Sequence, residues 1–376
     1  MRFERGLCAL ATGLALGGCG VTGGFAGGPY LYETFAYVAN QNSNDVTVLK
    51  MNDATGVLTG VQTFPCGAAP LGIAADPLGR FVFVANSTDS TVTAATIDPV
   101  AGSLTQVEAH PSASGAKAVL AHASGKFVYA LGTSELRAYT VGGSGALTDL
   151  QTVPDANAPS TMVFDPAGAH LYVIDWSPSQ ITYFSIDPHL GTLTAQGSAA
   201  TIPTGVDPTG MAFDPQGAFA FVAYSANSPA GTTESFSVSS SGILTDTGSS
   251  LSAPGGTLDN GSAVPDGFPI SVTTDAAGVS LYVADNLADE LTVASIDRGS
   301  GALTRVTDAT GFFRPSWVGF EPGGQYLFVA NEGVNNLFAM SADSTGVPAR
   351  VGLGSADDGP VAVAITRVPL APGGPY

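Results

Sequence analysis

Seven short apolar runs open with an aromatic residue at nearly constant spacing, and that recurrence limits the chain to a repeat architecture. The openers are Tyr37, Phe83, Tyr129, Tyr172, Phe221, Tyr282 and Phe328, each followed by Val or Ala. Successive openers lie 46, 46, 43, 49, 61 and 46 residues apart. A unit of about 40–50 residues is one supersecondary element that cannot bury its own faces and must stack on its neighbours.

The unit from Pro70 to His110 shows what each repeat contains. Gly72–Ala75 is a short apolar strand ended by Asp76-Pro-Leu-Gly79, where Pro sets the turn and Gly closes it. Phe81–Ala85 alternates aromatic and β-branched residues as a second strand. The polar stretch Asn86–Ser90 then leads into a third strand, Val92–Ile97; Asp98–Gly102 turns the chain into an outer strand from Leu104 to Val107. Four antiparallel strands joined by short hairpins make a propeller blade. The first turn recurs as Asp165–Gly168, Asp214–Gly217, Asp275–Gly278 and Glu321–Gly324, with Ala123–Gly125 as a weaker copy. The third turn recurs at Gly56, Gly102, Gly145, Gly191, Gly242, Gly301 and Gly346, where a positive φ favours glycine. The aromatic openers and the third-turn glycines both count seven.

The unit containing Tyr37 has no first turn before it, so its inner strand is missing from the N-terminal side. Gly359-Pro-Val-Ala-Val-Ala-Ile365 matches that strand. The predicted fold is therefore an all-β, seven-bladed β-propeller of four-stranded antiparallel blades over 31–376, closed by the C-terminal strand joining the first blade. Closure removes the open edges that invite aggregation. The 61-residue interval carries about 15 extra residues near Leu251–Asp266. A long loop of that kind is usually functional. It is expected on the face of the Asn86–Ser90 type loops.

The first 18 residues read as an export signal: Arg2 and Arg5, then an apolar run from Leu7 to Leu16. That run is too short for a membrane-spanning helix of about 20 residues. Leu16-Gly-Gly-Cys19 resembles the lipobox of bacterial lipoproteins, whose cysteine becomes lipid-modified; an ordinary small-residue cleavage site that contains a cysteine is the alternative. Residues 19–30 are Gly-rich and suit a tether. Under the lipoprotein reading the protein is exported to the bacterial cell envelope, and Gly20 after the cysteine favours the outer membrane. Membrane contact is then expected only through the lipid. With Cys8 removed and Cys19 acylated, Cys66 is left with no partner for a disulfide. It reads as a small buried residue.

Removing Arg2, Glu4 and Arg5 with the leader moves the formal charge from −19 to −20. Such a surface repels phosphate backbones, so nucleic acid is not an expected partner.

The units resemble the seven-bladed lactonase family, which includes bacterial 6-phosphogluconolactonase-like proteins and a fungal carboxymuconate lactonising enzyme. Tyr37-Val-Ala-Asn40, Phe83-Val-Ala-Asn86 and Phe328-Val-Ala-Asn331 carry the resemblance, with Ile97-Asp-Pro-Val-Ala-Gly-Ser-Leu104. The same strands are similar to the Tyr-Val-Thr-Asn repeats of surface proteins. The resemblance implies that enzymatic members use a His after Pro at the start of an inner strand, an Arg at the like place in another blade, and a Glu after the Asn ending a second strand. The His place here is Lys117, after Ala116; the Pro-Arg places read Pro159-Ser160, Pro269-Ile270 and Pro315-Ser316. Asn331-Glu332 matches the Asn-Glu pattern, and Arg314 lies two residues from the Arg place.

Lys117, Arg314 and Glu332 are thus the candidate catalytic residues: a cation could stabilise an oxyanion while the carboxylate orients water. Asp175, Trp176, Asp285 and Asp289 are the candidate ligand-binding residues on the same face, with Glu290 beside them. Trp317 reads as blade packing. His110, His122, His170 and His189 show no metal-ligand spacing, and Asn40–Asp45 lacks the ordered spacing of a calcium loop, so neither metal nor cofactor is expected. The leading reading is a lipid-anchored platform that binds a small molecule or a protein at one face. The competing one is hydrolysis of a sugar or organic-acid lactone.

Overall fold

The computed structural model describes residues 32–370, except 155–156, 177–178, 202–205, 227–230, 254, 258–262 and 265–267. The proposed export signal, Cys19 and the whole of the proposed tether lie outside the described residues. Seven four-stranded antiparallel sheets follow one another along the chain. The second blade, for example, is built from Pro70–Ala75, Phe81–Asn86, Thr91–Ile97 and Leu104–Pro111, hydrogen-bonded in that order. Its outer strand runs four residues beyond Val107, where the sequence pattern alone ends it.

The ring closes through its termini. Pro360–Pro369 pairs antiparallel with Tyr32–Asn40, placing Tyr37 opposite Ala364, and becomes the fourth strand of the first blade. The sheet order from outside inward is Leu58–Pro65, Asp45–Met51, Tyr32–Asn40, Pro360–Pro369.

The apolar core divides into seven clusters, and each spans two neighbouring blades. Phe35, Tyr37 and Val48 of the first blade pack with Ile73, Val82 and Val84 of the second. The last and first blades share a cluster containing Phe328, Ala330, Val38 and Leu49. Trp317 packs against that same cluster. Second strands such as Phe81–Asn86 and Tyr326–Asn331 are buried along their whole length, because both faces meet another blade.

The aromatic openers and the third-turn glycines turn out to be two halves of one contact. Tyr37 donates its hydroxyl to the Gly102 carbonyl at 2.9 Å, one blade onward. Tyr129 does the same to Gly191, Tyr172 to Gly242 and Tyr282 to Gly346. All seven glycines have positive φ, between 70° and 89°. Space is restricted as well: a Cβ on Gly102 would fall on the Phe35 ring.

The extra residues between the fifth and sixth blades are not wholly loop. Leu251 still belongs to the outer strand Leu244–Ser252, and Gly256–Thr257 pairs with Ala263–Val264 as a small hairpin. The rest of that stretch includes residues outside the described set.

Candidate functional site

Each inner strand begins beside the end of the second strand of its own blade. Pro70 lies opposite Asn86, Pro159 opposite Asp175, Pro208 opposite Tyr224, Pro269 opposite Asp285 and Pro315 opposite Asn331. The register then slips by one residue, leaving the residue after the proline as a bulge. These bulged residues are the places that the family resemblance gives to catalytic side chains. All the candidate site residues lie on this face.

The polar bulged residues hold the neighbouring blade, as does Lys117, which immediately precedes the inner strand Ala118–Ala121 of the third blade. Lys117 donates Nζ to the Pro159 carbonyl at 2.9 Å, and Ser160 donates Oγ to the Pro208 carbonyl at 3.2 Å. Thr209 reaches the Pro269 carbonyl at 2.6 Å, and Ser316 the Pro360 carbonyl at 2.6 Å. The same three hydroxyls also lie within hydrogen-bonding distance of a carbonyl in their own sheets, those of Ile174, Ala223 and Ala330, so each single O–H proton is shared between two acceptors. A hydroxyl here thus bridges two strands and two blades. Sequence reading missed this relay, although the Pro-Ser and Pro-Thr pairs that form it were visible.

Arg314 and Glu332 meet at the junction of the sixth and seventh blades. Arg314 Nη2 lies 3.4 Å from Glu332 Oε2, and both side chains are partly exposed. The backbone around them is tightly held. Glu332 donates its N–H to the Arg314 carbonyl at 3.0 Å, and Arg314 donates its own to Asp289 Oδ1 at 2.6 Å. Arg314 has φ 47°, a left-handed conformation before a proline. Ala69 and Ala158 adopt the same conformation before Pro70 and Pro159, so this geometry belongs to the repeat and not to Arg314 alone.

Lys117 stands in the third blade, away from that pair, and forms no ion pair among the described residues. Burial lowers its pKa from the ordinary lysine range.

The acidic candidates divide by burial. Asp175 and Asp285 are 0% and 1% exposed, at the place taken by Asn40, Asn86 and Asn331 in other blades. Asp175 accepts from the Thr182 hydroxyl at 3.2 Å. Asp285 accepts from the N–H groups of Phe268 and Ala288 at 2.7 and 3.2 Å through Oδ1, while Oδ2 has no hydrogen-bond partner among the described residues. Burial pushes the Asp285 carboxyl up to about 6, and nearby Glu290 adds to the rise. Trp176 is half-exposed and donates Nε1 to the Pro208 carbonyl at 2.7 Å. Cys66 is partly buried, and burial pushes its thiol up to about 12, well away from thiolate chemistry.

The arrangement brings together Arg314, Glu332 and Asp289, and it places Asp285 in the adjoining blade. Lys117 and the Asp175–Trp176 pair sit elsewhere on the ring. A lactonase needs a group that activates water and a donor aimed at the developing oxyanion. Here the cation nearest Glu332 is already its ion-pair partner.

A family model described as "Lactonase, 7-bladed beta-propeller" matches residues 32–121 and 132–261. Among solved structures, a proposed 6-phosphogluconolactonase from Bacteroides fragilis is 21% identical, with a TM-score of 0.74 over 89% of this chain and 98% of that one. A periplasmic gluconolactonase from Pseudomonas aeruginosa is 18% identical, with a TM-score of 0.73 over 90% of this chain and 99% of that one. At such identities the likeness establishes the fold. No curated protein matches the chain.

Proposed function

Since the chain belongs to the seven-bladed β-propeller lactonase family, we propose that it works as a binding platform at the face where the inner strands begin. One observation carries this reading. The places where the family resemblance puts catalytic His and Arg hold Lys117, Ser160, Ile270 and Ser316, and the polar three of these are committed to neighbouring blades. A small molecule or a protein segment is the expected ligand. The sequence around Cys19 supports attachment of the platform to a bacterial cell envelope through a lipid.

Incubation of the soluble domain from Ala26 onward with a panel of sugar and organic-acid lactones at neutral pH tests the proposal. No turnover is expected. Turnover abolished by Glu332→Gln would replace the platform with a hydrolase. That second reading is favoured by one feature, the partly exposed Arg314–Glu332 pair. The anchor has its own test: labelled fatty acid should enter the wild type and not Cys19→Ser, and equal labelling would refute it.

A further inference from the structure

We infer that the indole of Trp176 is the seat for an arginine side chain carried on a basic peptide segment of a partner protein. The inference rests on the platform reading of the face where the inner strands begin, and it names the ligand which that face takes. Trp176 ends the second strand of the fourth blade, His170–Trp176, and is 50% exposed. An indole of that size is costly to leave in water, and tryptophan at the centre of a binding face is a frequent anchor.

The ring is held in one place. Its Nε1 donates to the Pro208 carbonyl of the fifth blade at 2.7 Å, which fixes the indole across the seam between two blades. The backbone is fixed as well. The Trp176 N–H donates to the Ala158 carbonyl at 3.3 Å, and Trp176 lies opposite Ser179 in the sheet. An indole has no other polar atom, so its exposed half offers only ring carbon and the π-cloud above it. That cloud attracts cations. A ring already oriented also loses little freedom when a ligand stacks on it.

The surrounding charge selects the ligand. No Lys or Arg occurs between Arg137 and Arg298, so all 12 lie outside residues 138–297, while 16 of the 31 acidic residues lie inside. That stretch holds the whole of the fourth and fifth blades and three strands of the sixth. A ligand approaching Trp176 therefore meets a field of one sign. On the face itself, Asp207 stands one residue before the proline that holds the indole, and Asp289 and Glu290 lie in the sixth blade; all three are partly exposed. From Trp176 through Asp207 to Asp289 the face crosses three blades, a reach that suits an extended peptide better than a single small cation. Arginine fits the indole better than lysine, because its planar guanidinium stacks on an aromatic face and still donates to carboxylates. Charge alone would give loose adhesion; the fixed indole gives it a place.

The experiment is fluorescence anisotropy of a labelled hexa-arginine peptide titrated with the full chain, beside a hexa-glutamine peptide. Hexa-arginine should bind, and more weakly as salt is raised, whereas hexa-glutamine should not bind. Trp176→Leu leaves every charge in place and should weaken hexa-arginine binding by about 5- to 30-fold. Trp176→Phe, with a smaller ring, should fall between. Asp207→Asn should weaken binding more than Asp53→Asn, which sits in a third turn on the opposite face of the first blade. Variants are compared where their far-UV circular dichroism matches the wild type. Absence of hexa-arginine binding, wild-type affinity in Trp176→Leu, or equal losses for Asp207→Asn and Asp53→Asn would overturn the inference. The platform reading fails separately, by turnover of a lactone.

Discussion

A tyrosine hydroxyl on a glycine carbonyl one blade away is the smallest unit that explains the repeat. The glycine must be glycine twice over, for its positive φ and for the aromatic ring against it. At Gly102→Ala the left-handed strain and the overlap with Phe35 act together, so we expect a loss of about 2–4 kcal/mol in urea unfolding. Tyr37→Phe removes one buried hydrogen bond and should cost about 1 kcal/mol. Phe83 and Phe221 show that the fold tolerates the missing hydroxyl. Equal losses for the two variants would contradict this division. Asp285 adds a pH dependence of definite sign. The folded carboxyl keeps its proton up to about 6, whereas an unfolded one releases it near 4. Its contribution is complete below the unfolded value and is lost as pH rises toward 6. Relative to wild type, Asp285→Asn should therefore gain about 1–3 kcal/mol between pH 4 and pH 7, measured by urea unfolding.

Among the elements, the strand Pro360–Pro369 has the largest consequence. It pairs with Tyr32–Asn40 along its length and contributes Val363, Ala364 and Val368 to two interblade clusters. A chain ending at Asp358 would expose the backbone edge of Tyr32–Asn40 and open both clusters. Size-exclusion chromatography should then show association, with a lowered Tm; a monomer of unchanged Tm would show that closure adds nothing. The bulged residues of the inner strands do related work at the other end of each blade. Ser160 and Ser316 each link two strands and two blades through one hydroxyl. A hydroxyl whose one proton lies between two carbonyls has little left to offer a substrate.

For the whole molecule, seven clusters in a closed circle mean that no blade can leave without opening two interfaces. Trp176 in the fourth blade and Trp317 in the seventh report on distant parts of the ring. Their fluorescence and the far-UV circular dichroism should lose native signal at the same urea concentration, and separated midpoints would indicate blades unfolding independently. The blade count, the turns and the closing strand could be read from the residues, since each leaves a local mark. Tyr37, Gly102 and the stretch from Gly359 to Ile365 carry their roles in their own chemistry. The site could be read only as a set of candidates on one face. Its grouping depends on contacts between residues far apart in the chain, such as Ser160 with Pro208 and Thr209 with Pro269. Periodicity fixes what repeats, because every blade solves the same packing problem with the same residues. Only the closed ring decides which non-repeating side chains face one another.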